Sequence, residues 1–146
     1  MRTLTQIEQC LAALLAHGPR AADAAALLAL AEEVIEHWVR ARGEDPTGER
    51  REGFRLLALH RQGARDEPSF NACRESCREL VYHYNLLVLQ PDDAAADVWA
   101  GMMARLATHL CLFVAGKLQE RGLGEFCCAS RPLRTTADSA GADFSR

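Results

Sequence analysis

Apolar residues recur every three or four positions along most of the chain, which is the spacing of one face of an α-helix. A first helix is predicted from about Thr5 to Ala16, with Thr5 and Glu8 forming a capping box at its start. A second helix is predicted from about Ala21 to Arg42. Because the connection between them is short, the two helices should form an antiparallel hairpin.

The same periodicity returns in the second half of the chain. One helix is predicted to begin at Ser69 and to end before Pro91, and another should begin at Asp92 and end near Gly122. A short extra helix is predicted in the 47–62 region. The predicted core-facing residues include Leu11, Leu14, Leu28, Ile35, Trp38, Leu80, Tyr84, Leu87, Trp99, Leu106 and Phe113.

These patterns predict an all-α fold, a four-helix and roughly up-and-down bundle with a short extra helix. Residues 1–122 should form the helical bundle domain. Residues 123–146 are polar and small and carry no helical periodicity, so we expect a flexible C-terminal tail.

The last predicted helix has more apolar surface than a single core-facing stripe, or seam, requires. Its seam is Ala95, Trp99, Met102, Leu106, Leu110 and Phe113. Its other side is small rather than polar and comprises Ala100, Ala104, Thr108, Cys111 and Ala115. Surplus apolar surface of this kind is typical of an interface, so the sequence predicts a homodimer.

Composition narrows the class of protein only slightly. Of the 146 residues, 49% are apolar and 25% are charged, with a net charge of −3, which argues against a nucleic-acid or anionic-membrane binder. The most apolar run is interrupted by Arg105 and His109, and no signal peptide is visible, so we expect neither a membrane span nor secretion. The expected location is cytoplasmic, where six cysteines would remain thiols.

Two Glu-x-x-x-His spacings are the main candidates for metal chemistry. Glu33 with His37 and Glu79 with His83 stand four residues apart on predicted helices, and His109 could add a ligand for iron or zinc. The opposing interpretation is an ordinary surface pair, because these residues lie off the apolar seams.

The cysteines divide into two groups. Cys73 and Cys77 lie on a core seam and are predicted to be small buried hydrophobes. Cys127 and Cys128 lie near Arg131, beyond the last helix, and are candidates for reactive thiols, since nearby positive charge lowers a thiol pKa.

A stretch between the two halves is rich in arginine. Its members are Arg40, Arg42, Arg50, Arg51, Arg55, Arg61, Arg65, Arg74 and Arg78. Acidic residues are interspersed and no aromatic residues alternate with them, so a solvated, salt-bridged connection is predicted here rather than a phosphate site.

The chain lacks a glycine-rich phosphate loop, a Gly-x-Ser-x-Gly elbow and a His-Glu-x-x-His motif, and no nucleophile has an identifiable base. We therefore predict a non-enzymatic accessory or regulatory protein that acts through protein–protein interaction. Its partners would be a second copy of itself and an unidentified protein, with no cofactor, nucleic acid or membrane. The alternative is a helical-bundle protein that binds iron or zinc through the Glu and His residues above.

Overall fold

A computed structural model describes residues 1–122. It contains five α-helices: α1 (Leu4–His17), α2 (Ala24–Ala41), α3 (Arg55–Ala64), α4 (Arg74–Leu89) and α5 (Ala96–Glu120). Short 3-10 helices at Ala21–Asp23 and Pro68–Cys73 precede α2 and α4. No strand occurs among residues 1–122, so the predicted all-α class is confirmed. The predicted tail 123–146, with Cys127 and Cys128, lies outside the described residues.

The chain divides into two compact units, Met1–Ala115 and Gly116–Arg146. The first unit contains helices α1 to α4 and most of α5. In the second unit the described residues are the end of α5 and the turn that follows it. Gly122 has a φ of 69°, the left-handed conformation that ends many helices, at the position predicted for this stop.

Helix α1 begins earlier than the sequence pattern indicated. The N-cap is Thr3 rather than Thr5: its hydroxyl accepts a hydrogen bond from the Gln6 backbone N–H at 3.1 Å, and the Gln6 side chain accepts from the Thr3 N–H at 2.9 Å. Both segments fit the capping-box spacing, but the apolar periodicity already includes Leu4, which favours the earlier start. The predicted stop at Gly18 is confirmed, with a φ of 83°.

Helix α2 packs against α1, α3 and α4. Its buried residues are Ala24, Leu27, Leu30, Ala31, Val34, Ile35, Trp38 and Val39. Burial of Ile35 and Trp38 was predicted correctly. Leu28, which was also assigned to the core, is only half-buried, as is Leu14 in α1. The apolar stripe of α2 is wide because three neighbouring helices cover it.

The segment before α4 differs from the predicted continuous helix. Ser69 lies inside the 3-10 helix and is not an N-cap, and α4 begins five residues later at Arg74. The predicted core positions Cys73, Cys77 and Leu80 are buried, whereas Tyr84 is half-buried with its ring edge against Phe54, 5.7 Å between centroids.

Helix α5 is rotated relative to the prediction and begins at Ala96 rather than at Asp92. Three residues of its small-residue side are buried, Ala100, Ala104 and Cys111. Of the predicted seam, Leu110 is buried as expected, whereas Trp99, Leu106 and Phe113 are half-buried. Small side chains let neighbouring backbone approach closely: the Cys111 Sγ lies 3.6 Å from the Leu4 carbonyl oxygen. Periodicity alone does not show which of the two apolar faces of α5 packs against other helices. The core-facing seam was therefore assigned to the wrong face.

Helix α5 is also long and apolar enough to cross a membrane, by length and composition alone, with a mean hydropathy of 1.5 over 18 residues. Within that window, 44% of the residues are buried inside the structure. Core helices of globular proteins meet the same criteria, so the finding leaves the location of the protein a prediction.

Candidate functional site

Helices α2 and α3 meet at a point where the backbone itself is in the core. The indole of Trp38 stacks on the ring of Phe70 with centroids 5.0 Å apart, and it lies directly against Gly63. A Cβ atom at Gly63 would stand 2.8 Å from the Trp38 Cδ1 and 3.0 Å from the Phe70 Cε2. A residue without a side chain is therefore required here, and it fixes the end of α3 against the core.

A second residue of α2 holds the C-terminal end of α3. Arg42 donates hydrogen bonds to the carbonyl oxygens of Gly63 at 2.9 Å and Arg65 at 2.7 Å, and its guanidinium lies 5.8 Å from the centre of the Trp38 ring. Carbonyls at the end of a helix have no partner within the helix, and a cation is favourable there. Arg42 thereby positions the last turn of α3, which carries Arg61 and Arg65.

Next to this junction is a buried cluster of one histidine, His60, and two thiols, Cys73 and Cys77. The ring of His60 stacks on Phe70 at 5.4 Å, and its Nε2 donates to the Phe70 carbonyl oxygen at 3.2 Å. The thiol of Cys73 donates to the same carbonyl at 3.3 Å. Hydrogen bonds from the Cys77 thiol, and secondarily from His60, lower the pKa of Cys73 to about 6, whereas the contact with Cys73 raises the pKa of Cys77.

The segment between α2 and α3 is held by side-chain hydrogen bonds to its backbone. The Gln62 amide donates to the Asp45 carbonyl oxygen at 2.8 Å and accepts from the Thr47 N–H at 2.9 Å. Arg55 adds a bond from its Nε to the Thr47 carbonyl oxygen at 2.8 Å. This part of the chain therefore has a defined path across α3.

The segment ends in a tight turn between Arg51 and Phe54, whose backbone groups bond reciprocally at 2.9 and 3.0 Å. The two central residues, Glu52 and Gly53, have positive φ values of 54° and 87°, as in a type I′ turn. The turn directs Arg51 to the same side of the molecule as α3 and the start of α4, where it lines a cavity.

That cavity, of about 490 Å³, reaches the cluster at His60, which forms part of its wall. His60 and Asn71 contribute polar groups to its wall, and no carboxylate of residues 1–122 lines it. Its remaining polar lining is arginine, supplied by the turn, α3 and α4: Arg51, Arg61, Arg65, Arg74 and Arg78. We call this the arginine cavity.

A second cavity of about 540 Å³ adjoins the first and shares three arginines with it, Arg51, Arg61 and Arg65. It is mixed in charge because Asp45 and Glu49 also line it. We call this the mixed cavity.

Acidic residues neutralise part of the arginine cavity from outside it. Glu52 accepts two hydrogen bonds from Arg78, at 2.8 and 3.2 Å, and this ion pair lowers the pKa of Glu52. The other two pairs are longer. Glu44 lies 3.9 Å from Arg65, and Glu75 lies 3.8 Å from Arg74. Five arginines against three carboxylates leave an excess of two positive charges.

Two arginines supply this excess. Within residues 1–122, neither Arg51 nor Arg61 has a carboxylate within ion-pairing distance, and both line the two cavities. The predicted salt-bridged connection is thus correct for several arginines of the stretch but not for these two. Planar guanidinium groups donate two parallel hydrogen bonds to a phosphate or a carboxylate, so the arrangement is suited to an anion.

The predicted metal residues are engaged elsewhere. Glu33 forms an ion pair with Arg2, and the ring Nε2 of His37 lies 2.7 Å from the Arg2 carbonyl oxygen. This Glu-x-x-x-His pair therefore fastens the N-terminal residues to α2. One carboxylate oxygen of Glu33 is buried without a hydrogen-bond partner.

The second pair and His109 do not join the first. His83 is bonded through Nδ1 to the carbonyl oxygen of its neighbour Glu79 at 2.8 Å, one turn back on α4, and His109 is exposed on α5. Among residues 1–122, no three His, Cys, Asp or Glu side chains are grouped so that they could hold a metal ion.

The sequence revealed the arginines, but it did not show that they surround one cavity, and nothing in the pattern pointed to His60 or Asn71. One signal was present: Arg61 and Arg65, and again Arg74 and Arg78, are spaced four residues apart. Like charges at this helical spacing repel each other, so two such pairs facing one connection indicate a shared surface.

The chain has no recognised relatives: no protein-family model, no curated protein and no solved structure matches it.

Proposed function

We propose that this protein is a non-enzymatic binding protein that recognises a phosphate group in the arginine cavity. The observation that carries the proposal is the pair Arg51 and Arg61, which have no ion-pair partner among residues 1–122 and line a cavity wall to which those residues contribute no carboxylate. A doubly charged phosphate would match the excess of two positive charges. It would also accept the paired hydrogen bonds that two guanidinium groups offer.

The surrounding structure supports this proposal because it fixes the backbone from which these arginines extend. The Arg51–Phe54 turn orients one of them, and Arg42 fixes the helix end that carries the other. Preorganised donors lose less conformational freedom on binding than mobile ones, so more of the interaction energy appears as affinity.

Calorimetric titration with inorganic phosphate at constant ionic strength tests the proposal. Wild-type protein should bind one phosphate per chain, and Arg61→Gln should weaken binding at least tenfold because the anion loses a charged bidentate partner. Arg40→Gln is the matched control, since Arg40 lies outside both cavities near Glu36. Equal affinity in wild type and Arg61→Gln, or equal losses in both variants, would contradict the proposal.

Homodimer formation through α5 is a second candidate function. Val98 and Leu112 are 64% and 56% exposed, and they are two helical heptads apart on the same side of the helix, with the exposed Arg105 midway between them. The half-buried Trp99, Leu106 and Phe113 border this stripe. Apolar surface of this extent supports a second copy of the chain as its partner.

Light scattering coupled to size-exclusion chromatography tests the dimer. The wild type should elute with twice the mass of one chain, and Leu112→Asp should convert it to the monomer, while Tyr82→Asp, on α4, should leave the dimer intact. A wild-type mass of one chain at high concentration would rule the dimer out.

Other features belong to the same set of proposals. They are the up-and-down arrangement of the four longer helices, the cytoplasmic location and an interaction with a further protein. Binding of iron or zinc through Glu33, His37, Glu79, His83 and His109 has no supporting cluster among residues 1–122.

A further inference from the structure

We propose that a single small ligand spans both cavities and that it is a phosphate monoester whose body carries an ammonium group or several hydroxyls. This inference rests on the proposed function, because it assigns the phosphate to the arginine cavity. It adds a role for the mixed cavity, which would receive the rest of the ligand.

The mixed cavity contains charges of both signs that, among residues 1–122, do not form ion pairs with each other. In the part of the chain that the structure describes, the carboxylates of Asp45 and Glu49 have no ion pair within 4.0 Å, although Arg51 and Arg61 line the same cavity. An arginine surface that served only to form salt bridges would be expected to pair with these carboxylates. Separated charges of opposite sign instead suit a ligand that is itself anionic at one end and a hydrogen-bond donor at the other.

The backbone around these carboxylates is ordered by its own contacts. The Gln62 amide binds the main chain of both Asp45 and Thr47, and the Glu49 N–H donates to the Thr47 hydroxyl at 3.1 Å. The Asp45 and Glu49 side chains are therefore the groups left to bind a ligand. Since carboxylates only accept hydrogen bonds, the matching ligand groups are ammonium or hydroxyl.

The cavity walls disfavour a nucleotide. Among the side chains that the structure describes, the only ring lining either cavity is the imidazole of His60, and its face is already stacked on Phe70. Recognition of unpaired bases relies on stacking upon aromatic side chains. Each cavity, of about 490 and 540 Å³, has the usual size of a small-molecule site.

Calorimetric titrations with three probes at one ionic strength test this inference: inorganic phosphate, glucose 6-phosphate and glucosamine 6-phosphate. At least one ester should bind at least tenfold more tightly than inorganic phosphate. A gain for glucosamine 6-phosphate alone assigns an ammonium to the mixed cavity, and a gain for both esters assigns hydroxyls; either result supports the inference.

The double variant Asp45→Asn/Glu49→Gln should abolish the gain while keeping or improving the affinity for inorganic phosphate, because it removes negative charge beside the arginines. The control Asp92→Asn/Asp93→Asn changes net charge equally at a distant turn and should retain the gain. Thermal unfolding checks that each variant is folded.

Three results would overturn the inference. If the wild type binds inorganic phosphate and both esters with equal affinity, the inference fails and the proposed function stands. If the wild type binds none of the three, the proposed function fails and the inference fails with it. Tighter binding of a ten-residue oligothymidylate than of either ester would assign the arginines to a nucleic acid and contradict the small ligand.

Discussion

The indole Nε1 of Trp38 donates a hydrogen bond of 2.9 Å to the carbonyl oxygen of Gly63, and the guanidinium of Arg42 donates to the same oxygen at 2.9 Å. One carbonyl at the end of α3 is thus held by two residues of α2. This joint lies between the hydrophobic core and the arginine cavity, because the last turn of α3 also carries Arg61 and Arg65. Core packing and the position of the proposed binding groups are therefore linked.

Substitution of Gly63 by alanine should destabilise the protein. The new methyl group would stand 2.8 Å from the Trp38 ring, which is stacked on Phe70 and has no space to move, so the free energy of unfolding should fall by roughly 1–3 kcal/mol. Chemical denaturation measures the change. Gly116→Ala is the control: nothing lies near its Cβ position, and alanine should be neutral or stabilise the helix by up to about 1 kcal/mol. Equal stability of Gly63→Ala and wild type would disprove the close packing.

Arg42→Lys should lower stability although it keeps the positive charge. Lysine cannot reproduce the planar fork that reaches the carbonyl oxygens of Gly63 and Arg65. We expect a loss of about 1–2 kcal/mol in the free energy of unfolding, since half-buried carbonyls lose charged donors. The phosphate affinity of this variant should also fall several-fold. Stability unchanged from the wild type would show that the fork contributes little.

The Cys73 thiol should make stability depend on pH. Its pKa in the folded protein is about 6 and its ordinary value is 9.0, so the folded state releases this proton first. The stabilisation from Cys73 is therefore fully present above pH 9 and is lost as the pH falls through 6. The free energy of unfolding should rise between pH 6 and 9, and this rise should be smaller in Cys73→Ser.

Cys111→Ser is the matched control for this pH dependence. Burial raises the pKa of Cys111 from 9.0 to about 11, so below about pH 8 this thiol stays protonated in both folded and unfolded protein. The variant should therefore keep the wild-type slope between pH 6 and 8. Denaturation curves at several pH values measure both variants, and an identical slope in Cys73→Ser and wild type would refute the assignment.

The sequence predicted those features that depend on local spacing. The positions of Gly18 and Gly122, and the burial of Trp38, Cys73 and Cys77, follow from capping chemistry and periodicity. It could not choose between two apolar faces of α5, because that choice depends on which neighbours approach the helix. Trp99 was therefore assigned to the core but is half-buried, whereas Ala100 and Ala104 of the other side are buried. Phe113 is half-buried as well, although its ring lies 5.7 Å from that of Phe70.

The candidate site depends almost wholly on tertiary structure. Arg51, Arg61 and Arg74 come from a turn and two different helices, and only the packing of α3 on α2 and α4 brings them around one cavity. The charges counted along the arginine-rich stretch gave a small positive excess, but they did not show where that excess lies in the folded protein. The two Glu-x-x-x-His pairs show the opposite error: their spacing is favourable for a metal, but Glu33 and His37 bind the N-terminal residues instead.

Arginine side-chain NMR during a phosphate titration tests the central claim most directly, because it observes each guanidinium Nε–H separately. The account predicts saturable shifts for Arg51 and Arg61, which line both cavities, and none for Arg40 and Arg55, which lie near Glu36 outside them. Small, linear shifts of equal size at all four arginines would mean that phosphate only screens the surface, and would contradict a phosphate site in the arginine cavity.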